Sequence, residues 1–301
     1  MSDNPFAPPP PPSPARVRTT SSESAESRRG VAIPTTFHGI ARVALRGGWR
    51  LGAWLMAFAL LISALLTWSL HVTWGTSIAW ASVELPDAGR IERGIMRDIP
   101  ATPKTLSASR FLAIILDPEG RRNSGVDSDV LVSVEDQGLA VQSVLGWMWL
   151  PYPPSLNMPL DRLGTQGWVA AWTGPALLVI GLALVVSLLM SWMGLAALYA
   201  PFVLFAGRLL KRQISLGLAW RLALIALLPA GLLLGAAVFL YANHQLRVVG
   251  LMLAWPTHLV LGWTFCAGAL FRLPAATPQN PFAPTTSEAS EPSPHNPFRL
   301  P

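Results

Sequence analysis

The chain has 301 residues, of which 51% are hydrophobic and only 13% are charged, with a mean hydropathy of +0.42. Because a soluble domain carries about 25% charged residues, this composition argues against two soluble domains and favours a membrane protein. The formal net charge of +6 would suit a nucleic-acid partner, but the basic residues flank apolar runs and form no basic face, which argues against nucleic acid. The single cysteine, Cys266, allows neither an intramolecular disulfide nor a cysteine-based zinc site.

Two polar segments enclose the rest of the chain. Residues 1–48 contain an unbroken proline run from Pro8 to Pro12, and residues 272–301 are rich in Pro, Ser and Thr. Neither segment can bury enough apolar surface to fold alone, so both are predicted to be disordered tails.

Four apolar runs lie between the tails, at residues 49–74, 168–193, 216–241 and 248–271. At about 1.5 Å per residue, each run can cross the hydrocarbon core of about 30 Å as a helix. Tryptophans near the ends of the first two runs suit the aromatic belts of a membrane protein. Residues 194–213 are predicted to form an interfacial elbow helix. The alternative, a fifth span, would need a tight turn at Met193.

The lysines and arginines beside these runs predict the orientation of the chain. They precede the first run and follow the second, at Arg42, Arg46, Arg50, Arg208, Lys211 and Arg212. Both tails and residues 194–215 are therefore expected in the cytosol, and residues 75–167 outside. We expect a multi-pass membrane protein of this topology, in a bacterial inner (plasma) membrane.

Residues 75–167 return to a soluble composition and are predicted to form a small extracytoplasmic β-rich domain. An apolar run, Phe111 to Leu116, stops at a turn signature, and two alternating runs around Val132 and Val141 flank a turn at Asp136. This pattern predicts a hairpin with a third strand beside it in an antiparallel sheet. The aromatic stretch 147–154 would close the domain, either as a ligand face or resting on the membrane surface.

This order of features resembles a known family. A first span, an outside sheet whose apolar strand ends in Leu116-Asp117-Pro118-Glu119-Gly120, and a cluster of later spans are similar to an uncharacterised bacterial polytopic membrane family. Some of its members are labelled maltodextrin-utilisation proteins. The resemblance covers about residues 49–271 and implies an architecture only, because the family has no established activity.

The apolar runs lack the groups that most membrane chemistry needs. No Asp or Glu occurs between Asp161 and Glu288, and the first run has none, which argues against cation-coupled transport and intramembrane aspartyl proteolysis. No metalloprotease, P-loop or dinucleotide signature is present. We therefore predict no catalytic, cofactor-binding or metal-binding residues. The acids at Asp117, Glu119, Asp127 and Asp129 suit a solvated loop or a weak cation site.

Three features of the later spans stay open. His258 lies near the middle of the fourth run and is a candidate intramembrane polar site, or else a neutral side chain bonded to a backbone carbonyl. Each of the last three runs contains a proline, at Pro175, Pro229 and Pro256, which kinks a helix for packing or to shape a cavity. Gly231 and Gly235 have the spacing of a close helix contact.

The triplet Asn-Pro-Phe occurs three times in the tails, and an exposed Phe after an Asn-Pro turn suits docking to a cytosolic protein. It resembles ligands of endocytic EH domains in eukaryotes and the Asn-Pro-Tyr/Phe beginnings of tailed bacterial membrane proteins. Chance repetition in proline-rich sequence is the alternative. The candidate docking residues are Asn4, Pro5, Phe6, Asn280, Pro281, Phe282, Asn296, Pro297 and Phe298.

Taken together, the sequence predicts a membrane all-α bundle of four transmembrane helices with a small extracytoplasmic β-rich domain and disordered termini. We expect a non-enzymatic sensor, scaffold or accessory subunit, with the lipid bilayer and a cytosolic tail-binding protein as partners and no cofactor. The alternative is permease-like transport of a neutral or anionic solute.

Overall fold

A computed structural model gives the structure of the chain and describes residues 33–120 and 127–276. Most of these residues are helical, and a small sheet region accompanies them. Four helices are long and apolar enough to cross a membrane: Trp49–Val83, Arg162–Leu209, Leu216–Ala242 and Val248–Leu270. The coarse prediction of four apolar helices with a small sheet is confirmed.

A short helix, α1 (Phe37–Arg46), lies in the segment predicted to be a disordered tail, so that prediction is wrong for these ten residues. The Thr36 hydroxyl accepts a hydrogen bond from the amide of Gly39 and caps the helix. Ile40, Val43 and Ala44 are buried on one face, which contacts the last two long helices. This packing stabilises a helix too short to persist alone in water.

The first long helix runs past the predicted end of its apolar run. It consists of α2 (Trp49–Leu70), a π-helical turn (His71–Gly75) and α3 (Thr76–Val83). The segment 75–83, which was expected to begin the β-rich domain, is therefore helical. It contains no proline or charged residue to stop the helix, and Pro86 comes only after its end.

The second long helix, α4 (Arg162–Leu209), has 48 residues and no turn at Met193. The Asp161 carboxylate caps it by accepting from the amide of Gly164 at 2.7 Å. Residues 194–209, expected to form a separate elbow, continue the same helix with Pro201 inside it. They bury Tyr199 and Val203 in the core of the helical region, and this packing holds the helix together through the proline.

The third long helix, α5 (Leu216–Ala242), forms the centre of the helical region. It packs against α1, α2, α4 and α6 (Val248–Leu270), and a continuous stretch from Leu222 to Gly231 is buried. Gly231 and Gly235 face Ile62 and Leu65 of α2, where an added Cβ on either glycine would lie 3.1–3.3 Å from their side chains. The predicted close helix contact is therefore present, between α5 and α2.

Two sheets follow α3. A three-stranded sheet has the order β2-β1-β8, with β1 at Arg90–Glu92, β2 at Ile95–Arg97 and β8 at Met158–Pro159. A five-stranded sheet has the order β3-β4-β5-β6-β7. Its strands are β3 (Lys104–Ala108), β4 (Leu112–Leu116), β5 (Val130–Glu135), β6 (Gly138–Ser143) and β7 (Gly146–Pro151).

The predicted hairpin is confirmed as β5–β6, with Val132 opposite Val141. The expected third strand, β4, lies beside β5 but runs parallel to it, so the prediction of a purely antiparallel sheet is wrong. A parallel pair needs a connection of a dozen or more residues. The chain from Asp117 to Asp129 is long enough to return to the start of the sheet.

The described acidic residues are confined to one end of the molecule, whereas basic residues occur at both ends. Every described Asp and Glu lies between Glu84 and Asp161, in the region of the two sheets, which we call the sheet end. The opposite end carries Arg42, Arg46, Arg50, Arg208, Lys211, Arg212, Arg221 and Arg272, and we call it the basic end. There the Arg212 guanidinium donates to the carbonyl of Leu273 at 2.8 Å and joins α4 to the end of α6.

Candidate functional site

The five-stranded sheet is fastened to the turn between α5 and α6. The Arg110 guanidinium donates to the carbonyl oxygens of His244 at 2.9 Å and Leu246 at 2.6 Å. The Phe111 ring lies 4.9 Å from that of Tyr241 and 4.6 Å from that of His244, between centroids. The guanidinium of Arg110 and the ring of Phe111 thus bind the start of β4 to the end of α5 and the turn that follows it.

Two further contacts join the same parts. The Tyr241 hydroxyl donates to Asp129 Oδ2 at 2.8 Å, just before β5. The hydroxyls of Ser77, in α3, and Ser109, before β4, lie 2.9 Å apart. The sheet therefore contacts both the first long helix and the α5–α6 turn, and its position relative to the helices is fixed at several points.

Two of the four acids that the sequence offers as a weak cation site, Asp117 and Asp129, have structural surroundings in the fold. Asp129 accepts from Tyr241, and Asp117 is only 1% exposed at the end of β4. Among residues 33–120 and 127–276, no three His, Cys, Asp or Glu side chains are grouped so that they could hold a metal ion.

A groove of about 360 Å³ opens between the first two long helices at the sheet end. Its walls are almost wholly apolar, and three tryptophans, Trp74, Trp168 and Trp172, contribute to them. The polar lining side chains are His71 and Thr173, and the Thr173 hydroxyl donates to the carbonyl of Val169 in its own helix.

The π-helical turn shapes this groove. Such turns are rare in proteins and are frequent at functional sites. This one spans His71 to Gly75 and brings His71 and Trp74 to the groove wall. An added Cβ at Gly75 would lie 3.0 Å from His71 Nδ1, so the glycine leaves room for the imidazole ring.

The groove suits a molecule with an apolar body and one polar group. Its volume falls in the usual range for small-molecule sites, about 300–1,000 Å³. Aromatic walls offer large apolar contact, and an imidazole can donate or accept one hydrogen bond to the polar group. The sequence contains a signal for this site, because Trp168 and Trp172 are four residues apart and share one helix face, but the same spacing also suits an aromatic belt.

His258 does not line this groove. It is half-buried on α6, where Nδ1 contacts the carbonyl of Trp255 in the preceding turn. The nearby Pro256 is exposed, whereas Pro229 is buried at the centre of the helical region and Pro175 is exposed on α4. The three prolines thus differ in burial, and His258 as a polar site stays a prediction.

The docking residues predicted in the tails, Asn4 to Phe6, Asn280 to Phe282 and Asn296 to Phe298, lie outside the described residues. Cys266 is buried beside α5 and α1 in the helical core. This agrees with its expected role as a small apolar side chain.

Tyr152, just after β7, has a clearly shifted pKa. Burial raises the pKa of its phenol, and the neighbouring carboxylates of Glu135 and Asp136 raise it further. Its hydroxyl has no hydrogen-bond partner among the described residues. The phenol is therefore held in its neutral form.

No protein-family model, no curated protein and no solved structure matches this chain. The resemblance to the maltodextrin-utilisation membrane family stays a prediction, and the function rests on the chain's own residues.

Proposed function

We propose that this chain is a non-enzymatic multi-pass membrane protein that senses an amphiphilic molecule at the groove between its first two long helices. The observation that carries the proposal is the groove itself, with three tryptophans and one imidazole on two helices that continue to the basic end. Each of those helices is longer than the 20 or so residues that a bilayer requires.

The separation of charge supports the orientation. In the proposed topology the basic end faces the cytosol and the sheet end faces outwards, as the distribution of Lys and Arg beside spans dictates. Both tails then lie on the cytosolic side of a bacterial inner (plasma) membrane. Their Asn-Pro-Phe triplets would bind a cytosolic protein that receives the signal.

The position of the groove supports an amphiphile as its ligand. Between Arg221 and Tyr241, α5 spans about 30 Å, the thickness of the hydrocarbon core. Trp68 stacks on Phe239 near the outer end of this stretch, with ring centroids 5.6 Å apart, and the groove begins two residues later at Leu70. It therefore lies at the outer boundary of the bilayer, where an amphiphile has its own polar group.

A binding experiment with the full chain in detergent tests the groove. The probe is a pyrene-labelled dodecanoate, followed by energy transfer from tryptophan. We expect Ala176→Trp, which fills the groove, to weaken binding by about tenfold or more, equivalent to ~1.4 kcal/mol. The control Ala171→Trp adds the same chromophore to α4 outside the groove lining. Equal binding by both variants would refute the groove as the site.

A second measurement separates sensing from simple binding. Cys266 is the single cysteine and lies buried in the helical core, so its rate of thiol modification reports the packing there. For a sensor, the probe changes this rate in the wild-type chain and not in Ala176→Trp. A rate unaffected by bound probe would contradict sensing and leave a scaffold or accessory subunit.

Permease-like transport has no comparable support. The side chain on which it depends, His258, contacts a carbonyl of its own helix, and the central helix α5 is buried over much of its length. Replacement of His258 by Ala would abolish uptake if transport were the function.

A further inference from the structure

The hairpin formed by β6 and β7 has an unusual composition. From Gly138 to Pro151 the chain contains no charged residue. Its two-residue turn consists of Val144 and Leu145, which are 54% and 82% exposed. Turn positions are usually occupied by Gly, Asn or Asp. Here Gly146, with a φ of +124°, supplies the special backbone geometry, and two apolar side chains project from the molecule.

The pairing of the strands places this turn at one end of the strands of the sheet. Leu112 lies opposite Val130, Val130 opposite Ser143, and Ser143 opposite Gly146. This row begins beside Arg110, which contacts the α5–α6 turn, and Asp129, which contacts Tyr241 at the end of α5. At about 4.8 Å per strand, the hairpin turn lies roughly 10–14 Å from β4, at the ends of the strands nearest the helices.

The contacts with α3 show which way the strands run. Ser77, at the start of α3, contacts Ser109 before β4, whereas Ala81, at its far end, belongs to one apolar cluster with Leu116 at the end of β4. β4 therefore runs away from the long helices, alongside α3. Because β6 is antiparallel to β5, its last residue comes back towards the helix ends.

We infer that the Val144–Leu145 turn enters the outer leaflet of the membrane, with Trp147 and Trp149 of β7 at the headgroup level. An uncharged hairpin fits an apolar layer, and exposed tryptophan is typical of the interface. All six residues of β7 are exposed, which in water would leave an apolar sheet edge open to aggregation. The inference rests on the proposed membrane placement of the four helices.

The experiment uses the full chain in phospholipid nanodiscs, with Cys266→Ala as background. A nitrobenzoxadiazole fluorophore is attached to Leu145→Cys, and its quenching by doxyl-labelled phospholipid is compared with quenching by aqueous iodide. The matched control is Gln137→Cys, an exposed residue of the β5–β6 turn, at the opposite end of β6. A reference label at Leu178→Cys lies on the exposed face of α4, at a residue that is 66% exposed.

We expect the lipid quencher to reduce emission at 145 by at least about half as much as at 178, and iodide to act only at 137. Strong iodide quenching at 145, with lipid quenching kept at 178, would overturn the inference and leave the membrane placement standing. Loss of lipid quenching at 178 would refute the membrane placement itself. Protection of 145 from both quenchers, with a dimer in mass photometry, would assign β7 to a second copy and overturn the lipid contact.

Discussion

Arg110 performs a task that a lysine could not perform equally well. Its planar guanidinium donates to two carbonyl oxygens at once, those of His244 and Leu246, and a compact ammonium lacks this fork. Both acceptors belong to the turn after α5, where carbonyls have no helical partner. The residue thus satisfies two carbonyl groups of the turn between α5 and α6 and positions the sheet with the same guanidinium.

Gly231 tests the contact between α5 and α2. Its missing side chain leaves room for Ile62 and Trp192, which an added Cβ would approach to 3.1 and 3.3 Å. We expect Gly231→Leu to lower the free energy of unfolding by about 1–3 kcal/mol through overpacking. Thermal unfolding in detergent measures the loss. Gly194→Leu is the control, since a Cβ there meets nothing within 4 Å, and an equal loss in both would contradict the close contact.

Tyr152 makes the free energy of unfolding decrease at alkaline pH. Because the native state raises the pKa of this phenol, it holds the proton more tightly than the unfolded chain, and unfolding becomes easier as pH rises above about 10. Tyr152→Phe lacks this contribution. Denaturant titrations between pH 9 and 11 should show the wild-type chain losing up to about 1.4 kcal/mol per pH unit more than the variant. Parallel pH profiles would rule out the buried phenol.

At the scale of elements, α3 links the helices to the sheets. It continues the first long helix past the π-helical turn and contacts β3 and β4. Leu85, just after its end, and Met96 of β2 join the apolar cluster of Leu106 and Leu116. The two sheets therefore pack around the end of a helix that also forms one wall of the groove.

A designed disulfide tests this junction. The Ser77 and Ser109 hydroxyls are 2.9 Å apart, so their Cβ atoms lie within reach of a disulfide. We expect Ser77→Cys with Ser109→Cys to oxidise without added catalyst in cells, because in the proposed topology the sheet end faces an oxidising compartment. Non-reducing mass spectrometry would detect the loss of two hydrogens. The pair Thr76→Cys and Ser109→Cys should stay reduced, and oxidation of that pair instead would contradict the packing of α3.

The elements that sequence predicted best were those determined by a local pattern. Apolar runs of 23 or more residues and the alternation around Val132 and Val141 depend on neighbouring residues only. The helix α1 and the parallel pairing of β4 with β5 depend on distant packing, against α5 and through the connection after Asp117, and local pattern could not supply them. The groove could not be predicted from local pattern either, because Trp74 and Trp168, which line it from two different helices, are 94 residues apart in the chain.

The molecule as a whole has one end that contains basic residues and no described acid. All described carboxylates are at the sheet end, and eight of the described basic residues are at the other. Such an arrangement favours one orientation across a membrane that retains arginine and lysine on the cytosolic side. It also accounts for the net charge of +6 without a nucleic-acid partner.

Reporter fusions measure this orientation directly. We expect alkaline phosphatase to be active when fused after residue 120 or 244, both at the sheet end, and a fluorescent protein to mature when fused at residue 30 or 290. Each position receives both reporters as its own control. Phosphatase inactivity at 120 with fluorescence there would reverse the topology and remove the basis for an outside sensor.

The length of α4 has a mechanical consequence. A helix of 48 residues is about 72 Å long, and it carries groove residues near one end and Tyr199 and Val203 in the core near the other. The groove residues of α4 are centred about 50 Å from its far end, so a tilt of about 5° about the groove displaces that end by roughly 4–5 Å, a little less than one helical turn of 5.4 Å. In the proposed sensor, a small tilt of α4 caused by a ligand in the groove would move Tyr199 and Val203 relative to the side chains that they pack against near the basic end.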